Sequence, residues 1–349
     1  MSRPSPLPRR IVTEQPLNAE TPLEALTAPA VPVGTFYVRS NFVAPVVSAT
    51  TWHLVVGGCV ERPLSLSLAD LAALPAKTLT VTVECAGNGR TAMRPVPPGT
   101  PWDFGAVATA QFTGTPLRGV LERAGLTPNA VEVLFIAADS GTVETGAEAR
   151  FERSLPVSEA LNEDVLLVWA MNGEPLAPEH GAPLRLVVPS WYGMAWVKWL
   201  SEIQVLARPF EGFFQTERYI YVADDGTPDG TPVARMRVRA LITEPAAGAS
   251  VPAGPLSISG AAWSGSGAVV AVEISTDGGA TWAAAELAPA TEPYARQLFS
   301  YTWQAQPGDH HLLARATDAA GNVQPLTARS NELGYGNNGV HPVAVTVVP

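Results

Sequence analysis

The stretch Thr78–Arg90, TLTVTVECAGNGR, joins a strand to a loop at a single cysteine. Threonine and valine alternate from Thr80 towards Glu84, and this β-branched alternation predicts a strand. The strand pattern stops at Cys85, and the Ala-Gly-Asn-Gly that follows tolerates positive φ and a close approach of the backbone to a ligand. We therefore expect Cys85 at the tip of a strand, beside a loop that ends in Arg90.

The chemistry of this cysteine leaves two interpretations open. A free cysteine is most often a small buried hydrophobic residue. A cysteine thiolate is also a soft sulfur ligand for transition metals. The guanidinium of Arg90 is permanently charged and could hold an oxyanion beside such a metal.

The composition indicates two domains rich in strands and turns. The chain has 349 residues, of which 46% are hydrophobic, and it contains 33 prolines and 30 glycines, which argues against a helical bundle. A net charge of −10 disfavours nucleic acid or an anionic membrane as a partner. The two cysteines and five histidines show no disulfide framework and no metal-site spacing. No apolar run reaches the roughly 18 residues of a membrane span.

The pattern along the chain predicts an α+β protein in three segments. Residues 1–34 are Pro-rich and are expected to form an extended arm. In residues 35–230, strands alternate with helices too short for a doubly wound sheet, which predicts a mixed α+β domain. Residues 231–349 show short strands separated by turn residues and no helical period, which predicts an all-β, immunoglobulin-like sandwich. A polar linker, Asp224–Pro232, lies at the junction.

Local signals place several elements of the α+β domain. The aromatic and β-branched run Phe36–Phe42 predicts a strand. Ser67 is expected to cap a short helix that stops before Pro75. Thr115 is expected to cap a second helix with proline at its first position. A buried strand, Val165–Met171, should end in the Asn-Gly turn that follows it.

Several stretches, in this order, resemble the molybdopterin-dependent sulfite oxidase family, in its bacterial form. The resemblance runs from about residue 36 to the C-terminus, and its strongest part is the cysteine loop, Cys85–Arg90. The matching stretches are Tyr37–Asn41 (YVRSN), Cys85–Arg90 (CAGNGR), His180–Arg185 (HGAPLR), Val197–Trp199 (VKW), Ala262–Gly265 (AWSG), Asp277–Trp282 (DGGATW) and Gly334–Val340 (GYGNNGV).

The resemblance implies a role for each matching side chain. Cys85 would supply its thiolate to the molybdenum of a molybdopterin, Arg39 and Arg90 would clamp an anionic substrate, and Trp102 would wall the pocket. The remaining residues implied to bind the cofactor are Tyr37, Asn41, Asp139, His180, Arg185, Trp196, Val197 and Lys198. Without the resemblance, Asp139 could equally shape a turn, and Lys198 could be an exposed strand residue.

The activity implied by the resemblance is oxidation of sulfite to sulfate by oxygen-atom transfer. The sequence contains no haem-attachment CxxCH motif, so no haem is expected. Electrons would pass to a separate acceptor such as a c-type cytochrome, or to oxygen directly. The sandwich would join two copies in a homodimer. The arginine pair Arg9–Arg10 is not followed by an apolar segment, which predicts a cytoplasmic protein; a periplasmic one remains open if a leader has been removed.

Departures from the family pattern bear on the substrate. Trp169 stands where sulfite oxidases usually have an active-site tyrosine, and an indole can donate a hydrogen bond but cannot release a proton as a phenol can. Asn41 and Gly89 stand where the vertebrate and plant enzymes have His and Arg. One alternative is therefore the same cofactor acting on another sulfur oxyanion, a sulfoxide or nitrate. A second is a non-catalytic binding protein that contains the sandwich.

Overall fold

The computed structural model describes residues 8–222, 228–290, 292–329 and 331–349. Strands dominate both domains, as the composition predicted. The strands before the sandwich are β1 (Arg10–Thr13), β2 (Asn18–Glu20), β3 (His53–Gly58), β4 (Leu64–Ser67), β5 (Lys77–Glu84), β6 (Val107–Pro116), β7 (Glu132–Thr142), β8 (Glu148–Pro156), β9 (Leu166–Met171), β10 (Glu174–Pro175), β11 (Arg185–Val187), β12 (Leu200–Leu206), β13 (Ile220–Val222) and β14 (Pro228–Pro232). The α-helices are α1 (Leu68–Ala72), α2 (Leu117–Ala124), α3 (Val157–Ala160) and α4 (Phe213–Thr216).

The first domain is built on two five-stranded sheets. One has the order β10-β9-β6-β5, with β11 also paired to β9; the other has the order β4-β3-β12-β7-β8. In the second sheet β3 and β12 run parallel, and the other neighbours are antiparallel. Fully buried side chains such as Phe112 and Phe135 belong to one core, and each contributes about 1.5–3 kcal/mol through its removal from water. The mixed α+β fold is confirmed.

The short helices follow the predicted signals only in part. Ser67 caps α1 in a reciprocal capping box with Asp70, as predicted. The prediction for the second helix is wrong at its start, since Thr115 still belongs to β6 and Pro116 is the residue before α2. The Thr115 hydroxyl donates instead to the carbonyl of Pro75 at 3.0 Å. The Thr115 side chain therefore bonds to a residue distant in sequence instead of capping the helix.

The N-terminal arm lies on the first domain over its described part, residues 8–34. It forms a β1–β2 hairpin rather than a wholly extended segment. Its Leu26 and Val31 are fully buried, and the Val31 amide donates to the Thr109 carbonyl at 2.7 Å. The expected strand Phe36–Phe42 is wrong: in this segment Val38 makes an isolated bridge to Ala19, and the rest is irregular.

The second domain is the all-β sandwich that the turn spacing predicted. Its strands are β15 (Arg239–Glu244), β16 (Ala249–Pro252), β17 (Gly254–Trp263), β18 (Val269–Ser275), β19 (Ala283–Ala284), β20 (Glu286–Leu287), β21 (Gln297–Ala305), β22 (Gly308–Asp318) and β23 (Val343–Val348). Sheet β15-β17-β21-β20 faces sheet β16-β23-β22-β18-β19 across a separate apolar core.

The junction between the domains is partly described. The predicted linker, Asp224–Pro232, overlaps residues 223–227, which lie outside the described residues, and its described end forms β14, which pairs with β13. The boundaries at residues 34 and 230 stay predictions. None of the helices in the described part of the chain has the length and apolar character needed to cross a membrane.

Candidate active site

Cys85 follows β5 directly, at the position that the strand pattern predicted. Its amide donates to the Ala106 carbonyl at 2.8 Å, which extends the pairing of β5 with β6. Its carbonyl accepts from the Asn88 amide at 2.9 Å, and this bond closes the turn. The Asn88 side chain accepts from the Ala106 amide at 3.1 Å. The cysteine thus stands on a backbone held at both ends.

Gly89 is required by the shape of this loop. It takes φ +79, and a Cβ at this position would lie 2.7 Å from Nη2 of Arg239 and 3.2 Å from the ring of Phe104. A larger residue would be strained by its backbone conformation and would also displace the guanidinium.

Cys85 opens into a cavity of the first domain. Nine of the residues predicted to form the site line it: Tyr37, Arg39, Asn41, Cys85, Asp139, His180, Arg185, Trp196 and Lys198. These residues come from five separate parts of the chain, and the packing of the two sheets brings them together.

Three cations of the lining, Arg39, Lys198 and Arg185, are each held by a hydrogen bond within the first domain. Arg39 donates through Nη2 to Asn41 Oδ1 at 2.6 Å, and Lys198 donates through Nζ to the Ser40 hydroxyl at 2.9 Å. Arg185 donates to the backbone carbonyl of His180 at 3.1 Å. The cavity is therefore electropositive, which suits an anionic ligand.

Burial shifts the protonation of these groups. It raises the pKa of Asp139 to about 6, against the opposing charge of Lys198. It lowers the pKa of Lys198 well below its usual range, helped by the nearby Arg185, and it lowers the pKa of Arg185 to about 10. Each shift opposes the charged form, so an anion entering the cavity would relieve the cost of holding these cations.

The path of the chain at Gly181 brings Lys198 close to the cavity. Gly181 takes φ +101, and a Cβ there would lie 2.8 Å from the Cβ of Lys198. The preceding residue, His180, is 2% exposed. Its Nε2 lies 3.2 Å from both Nη2 of Arg9 and the Val33 carbonyl.

Cys85 is buried, with 7% of the residue exposed. Burial raises the pKa of its thiol, while the charges of Arg39 and Arg90 and a bond from the Gly87 amide act against that rise. A metal binds the thiolate, so the thiol must release its proton when the metal binds. The nearby cations stabilise the thiolate and therefore favour metal binding.

Arg90 lies beside the cavity and not in its lining. Its guanidinium donates to the carbonyls of Thr100, at 2.7 Å, and Leu333, at 3.0 Å. Its Cζ also lies 5.5 Å from the centre of the Tyr335 ring. Its role as a substrate clamp stays a prediction.

Three other predicted residues also lie outside the cavity lining. Trp102 is 1% exposed and Val197 is fully buried; the carbonyl of Val197 accepts from the Leu186 amide at 2.8 Å. Trp169 is half-buried on β9, and its carbonyl accepts from the Leu176 amide at 3.0 Å. Their proposed contacts with substrate or cofactor stay predictions.

Tyr219 lines the cavity and was not predicted. Its hydroxyl donates to Asn41 Oδ1 at 3.4 Å, and its ring packs against Tyr335 with centres 5.1 Å apart. A second phenol, besides that of Tyr37, therefore lines the cavity, whereas Trp169 lies outside the lining. The aromatic run around residue 219 was the one available signal, and nothing local connects it to a residue 178 positions away.

The residues present fit a molybdenum–pterin group. Asp139 Oδ1 and Arg185 Nε are buried and have no partner among the residues that the structure describes. A bound polar group would supply partners for both atoms. Cys85 offers the soft sulfur donor, and the cations Arg185 and Lys198 suit a phosphate.

Two family models match the chain. The oxidoreductase molybdopterin binding domain matches residues 41–214, and the Mo-co oxidoreductase dimerisation domain matches residues 231–348. The first covers the cysteine loop and most of the cavity lining, and the second covers the sandwich.

Similar proteins cover nearly the whole chain. Mitochondrial sulfite oxidase of Rattus norvegicus is 36% identical over 97% of this chain and 66% of its own length, so the chain spans slightly less than two thirds of that relative. Sulfite oxidase of Gallus gallus is 36% identical over 90% of this chain and 72% of its own length. Nitrate reductase [NAD(P)H] of Hordeum vulgare is 30% identical over 94% of this chain and 41% of its own length.

A solved structure shares the fold of both domains. The crystal structure of the sulfane dehydrogenase SoxCD from Paracoccus pantotrophus has a TM-score of 0.86 and 30% identity, and it covers 96% of this chain and 87% of its own. Together with the two family models, these similarities place the chain in the molybdopterin-dependent sulfite oxidase family.

Proposed function

We propose that this chain binds a molybdenum–molybdopterin cofactor through the Cys85 thiolate and oxidises sulfite to sulfate. The observation that carries the proposal is that one cavity is lined by Cys85, by the cations Arg39, Arg185 and Lys198, and by Tyr219. When bound, the cofactor supplies the oxygen-atom transfer and takes up the two electrons that sulfite loses. The protein binds and orients the reactants and sets the charge around them.

The cofactor would be held mainly by charge. Arg185 and Lys198 would bind its phosphate, since their partial desolvation strengthens the attraction to an anion. Asp139 and the neutral ring of His180 would exchange hydrogen bonds with the polar atoms of the pterin. Tyr37, with a pKa raised well above its usual range by burial, would remain a hydrogen-bond donor at any working pH.

Arg39 and Tyr219 would bind sulfite. Both side chains are fixed by the same oxygen, Asn41 Oδ1, at 2.6 and 3.4 Å. Sulfite is an anion, so the guanidinium of Arg39 attracts it and orients its oxygens by charge-assisted hydrogen bonds. The Tyr219 hydroxyl can donate a hydrogen bond or pass a proton beside it.

The chain would act as a homodimer and deliver electrons to a separate carrier. The match of the sandwich to a dimerisation domain supports the first point. The net charge of −10 favours encounter with a basic carrier, such as a c-type cytochrome.

The test combines metal analysis with turnover. The chain, purified from a host that makes molybdopterin, should hold about one molybdenum per chain, bound at Cys85, and should reduce ferricyanide or cytochrome c when sulfite is added. Cys85→Ser should lose molybdenum and activity while keeping the fold by circular dichroism. Cys59→Ser is the matched control, because Cys59 is the other free cysteine and is only half-buried.

Three outcomes would contradict the proposal. Full molybdenum content with no sulfite turnover, whichever electron acceptor is used, would show that sulfite is not the substrate. A chain that binds neither molybdenum nor pterin would favour a non-catalytic binding protein. Equal molybdenum content in Cys85→Ser and in the parent chain would show that Cys85 is not a metal ligand.

A second candidate keeps the cofactor and changes the substrate. The similarity to a sulfane dehydrogenase and to a nitrate reductase favours it. A panel of thiosulfate and sulfite in the oxidising direction, with nitrate and a sulfoxide in the reducing direction, separates the two. Tyr219 supports sulfite, since its phenol removes the chemical objection raised by Trp169.

A further inference from the structure

A buried ion pair joins the sandwich to the residue that precedes Cys85. Arg239, on β15, donates through Nη1 to Glu84 Oε1 at 2.6 Å, and each side chain is 1% exposed. Trp263, at the end of β17, donates its indole N–H to the other carboxylate oxygen of Glu84 at 2.9 Å. Both oxygens of a first-domain carboxylate are thus held by donors of the second domain.

The same contacts reach the cysteine loop itself. Asn88 donates to Glu84 Oε1 at 2.9 Å, and its carbonyl accepts from Arg239 at 3.3 Å. The guanidinium also fills the space beside Gly89, where a Cβ would collide with it. Arg239 therefore contacts the chain on both sides of Cys85.

The C-terminal tail adds two bonds to this loop. The Gly336 amide donates to the Ala86 carbonyl at 2.8 Å. The Asn337 side chain donates to the Gly89 carbonyl at 2.7 Å. The turn that follows Cys85 is thus held from the second domain through its backbone as well as through Glu84.

Stability alone is a poor reason for a buried ion pair. Taking two charges out of water costs about as much as their attraction returns, so a well-packed apolar pair would hold the domains together at least as strongly. Nε and Nη2 of Arg239 have no partner among the described residues, which adds to that cost. What charged hydrogen bonds supply and apolar contacts do not is a defined direction for each group.

We propose that Arg239 and Trp263 are positioning residues for Cys85. By holding Glu84 and the turn from residue 86 to 89, they keep the sulfur directed into the cavity. The sandwich then acts on the site of the first domain, apart from any role in dimerisation. The proposal rests on the proposed function only in taking the sulfur as a metal ligand; the hold on the loop is measurable without the cofactor.

Two variants of the full chain test it. Trp263→Phe removes one donor to Glu84 and keeps an aromatic ring in place. Arg239→Lys keeps the positive charge and loses the planar guanidinium with its several N–H donors. Arg296→Lys is the matched control, because Arg296 is another buried arginine of the sandwich that donates across the domains, to the carbonyls of Leu26 and Ala28. The hydrogen bonds that its side chain makes in the described residues go to the N-terminal arm and not to the cysteine loop.

The readouts are amide hydrogen exchange, followed by mass spectrometry, and molybdenum retention. In the cofactor-free chain, exchange at residues 85–90 should rise at least about tenfold in Trp263→Phe, since a hydrogen bond to a charged group is lost. The rise should be confined to this loop, and the thermal midpoint should fall by only a few degrees, as the loss of one such bond implies for a chain of this size. In the loaded chain the rate of molybdenum loss should rise by a similar factor, and Arg296→Lys should change neither.

Unchanged exchange at 85–90 in both variants would overturn the proposal. A rise spread equally over both faces of the domain interface would also overturn it and would assign these residues to the interface alone. If Arg239→Lys does not fold, the exchange at residues 85–90 in Trp263→Phe alone tests the proposal. Failure of the parent chain to oxidise sulfite would contradict the proposed function, but the exchange result would still test whether Arg239 and Trp263 hold the loop.

Discussion

His180 should make the cofactor-free protein lose stability in mild acid. Its ring is 2% exposed, and burial, with the positive charges of Arg9, Lys198 and Arg185, lowers its pKa from 6.5 to about 3. The folded chain therefore keeps the ring neutral down to about pH 3, whereas the unfolded chain protonates it near pH 6.5.

The sign and the size follow from this difference. Between the two pKa values the unfolded state binds one more proton, so the free energy of unfolding falls as pH falls. Each unit below 6.5 costs about 1.4 kcal/mol, which gives about 2 kcal/mol at pH 5. The contribution is absent above pH 7, where neither state is protonated.

The assay is urea unfolding of the cofactor-free chain at pH 7 and pH 5. His180→Gln removes the titrating group, so its loss of stability between the two pH values should be smaller than that of the parent by about 2 kcal/mol. His53→Gln, at an exposed position, is the matched control. An equal loss in His180→Gln and the parent would refute the assigned protonation state.

Three further changes probe the site. Lys198→Met should weaken cofactor binding by about 10- to 100-fold, because a charge-assisted bond to an anion is lost; molybdenum per chain after dialysis measures it against Lys77→Met, and equal retention would contradict it. Tyr219→Phe should lower kcat/KM for sulfite by about tenfold or more, since one hydrogen bond to the anion disappears; unchanged steady-state kinetics would place the phenol outside the reaction. Gly89→Ala should lower the free energy of unfolding by at least about 1–2 kcal/mol, the cost of its positive φ alone; a loss under about 0.5 kcal/mol in urea unfolding would show that the loop adapts.

Local chemistry accounts for the elements that were predicted correctly. The strand into Cys85 and the Ser67 cap depend on side chains within a few residues of one another. The turn after β9 depends on Asn172 and Gly173, which take φ 52 and 83 as an Asn-Gly hairpin turn requires. Such signals operate before any tertiary contact forms.

The prediction failed where a distant partner decided the outcome. Thr115 left its expected cap because the Pro75 carbonyl was within reach. Phe36–Phe42 lacks the neighbouring strand that its composition favoured, and its residues 36–41 line the cavity instead. The second phenol of the site comes from Tyr219, because α4 and β13 fold back over the loop that carries Asn41.

By itself, the sequence determined the mixed fold, the sandwich, and the cysteine at the tip of a strand followed by a loop of small residues, since period, turn chemistry and residue type act locally. It also pointed, through its motifs, to most of the residues that line the cavity. Only the tertiary structure decided which of those side chains meet and what holds them. Glu84 and Arg239 are 155 positions apart, and no local pattern predicts that two such charges will be buried against each other beside the cysteine. Their pairing follows from the packing of one domain on the other.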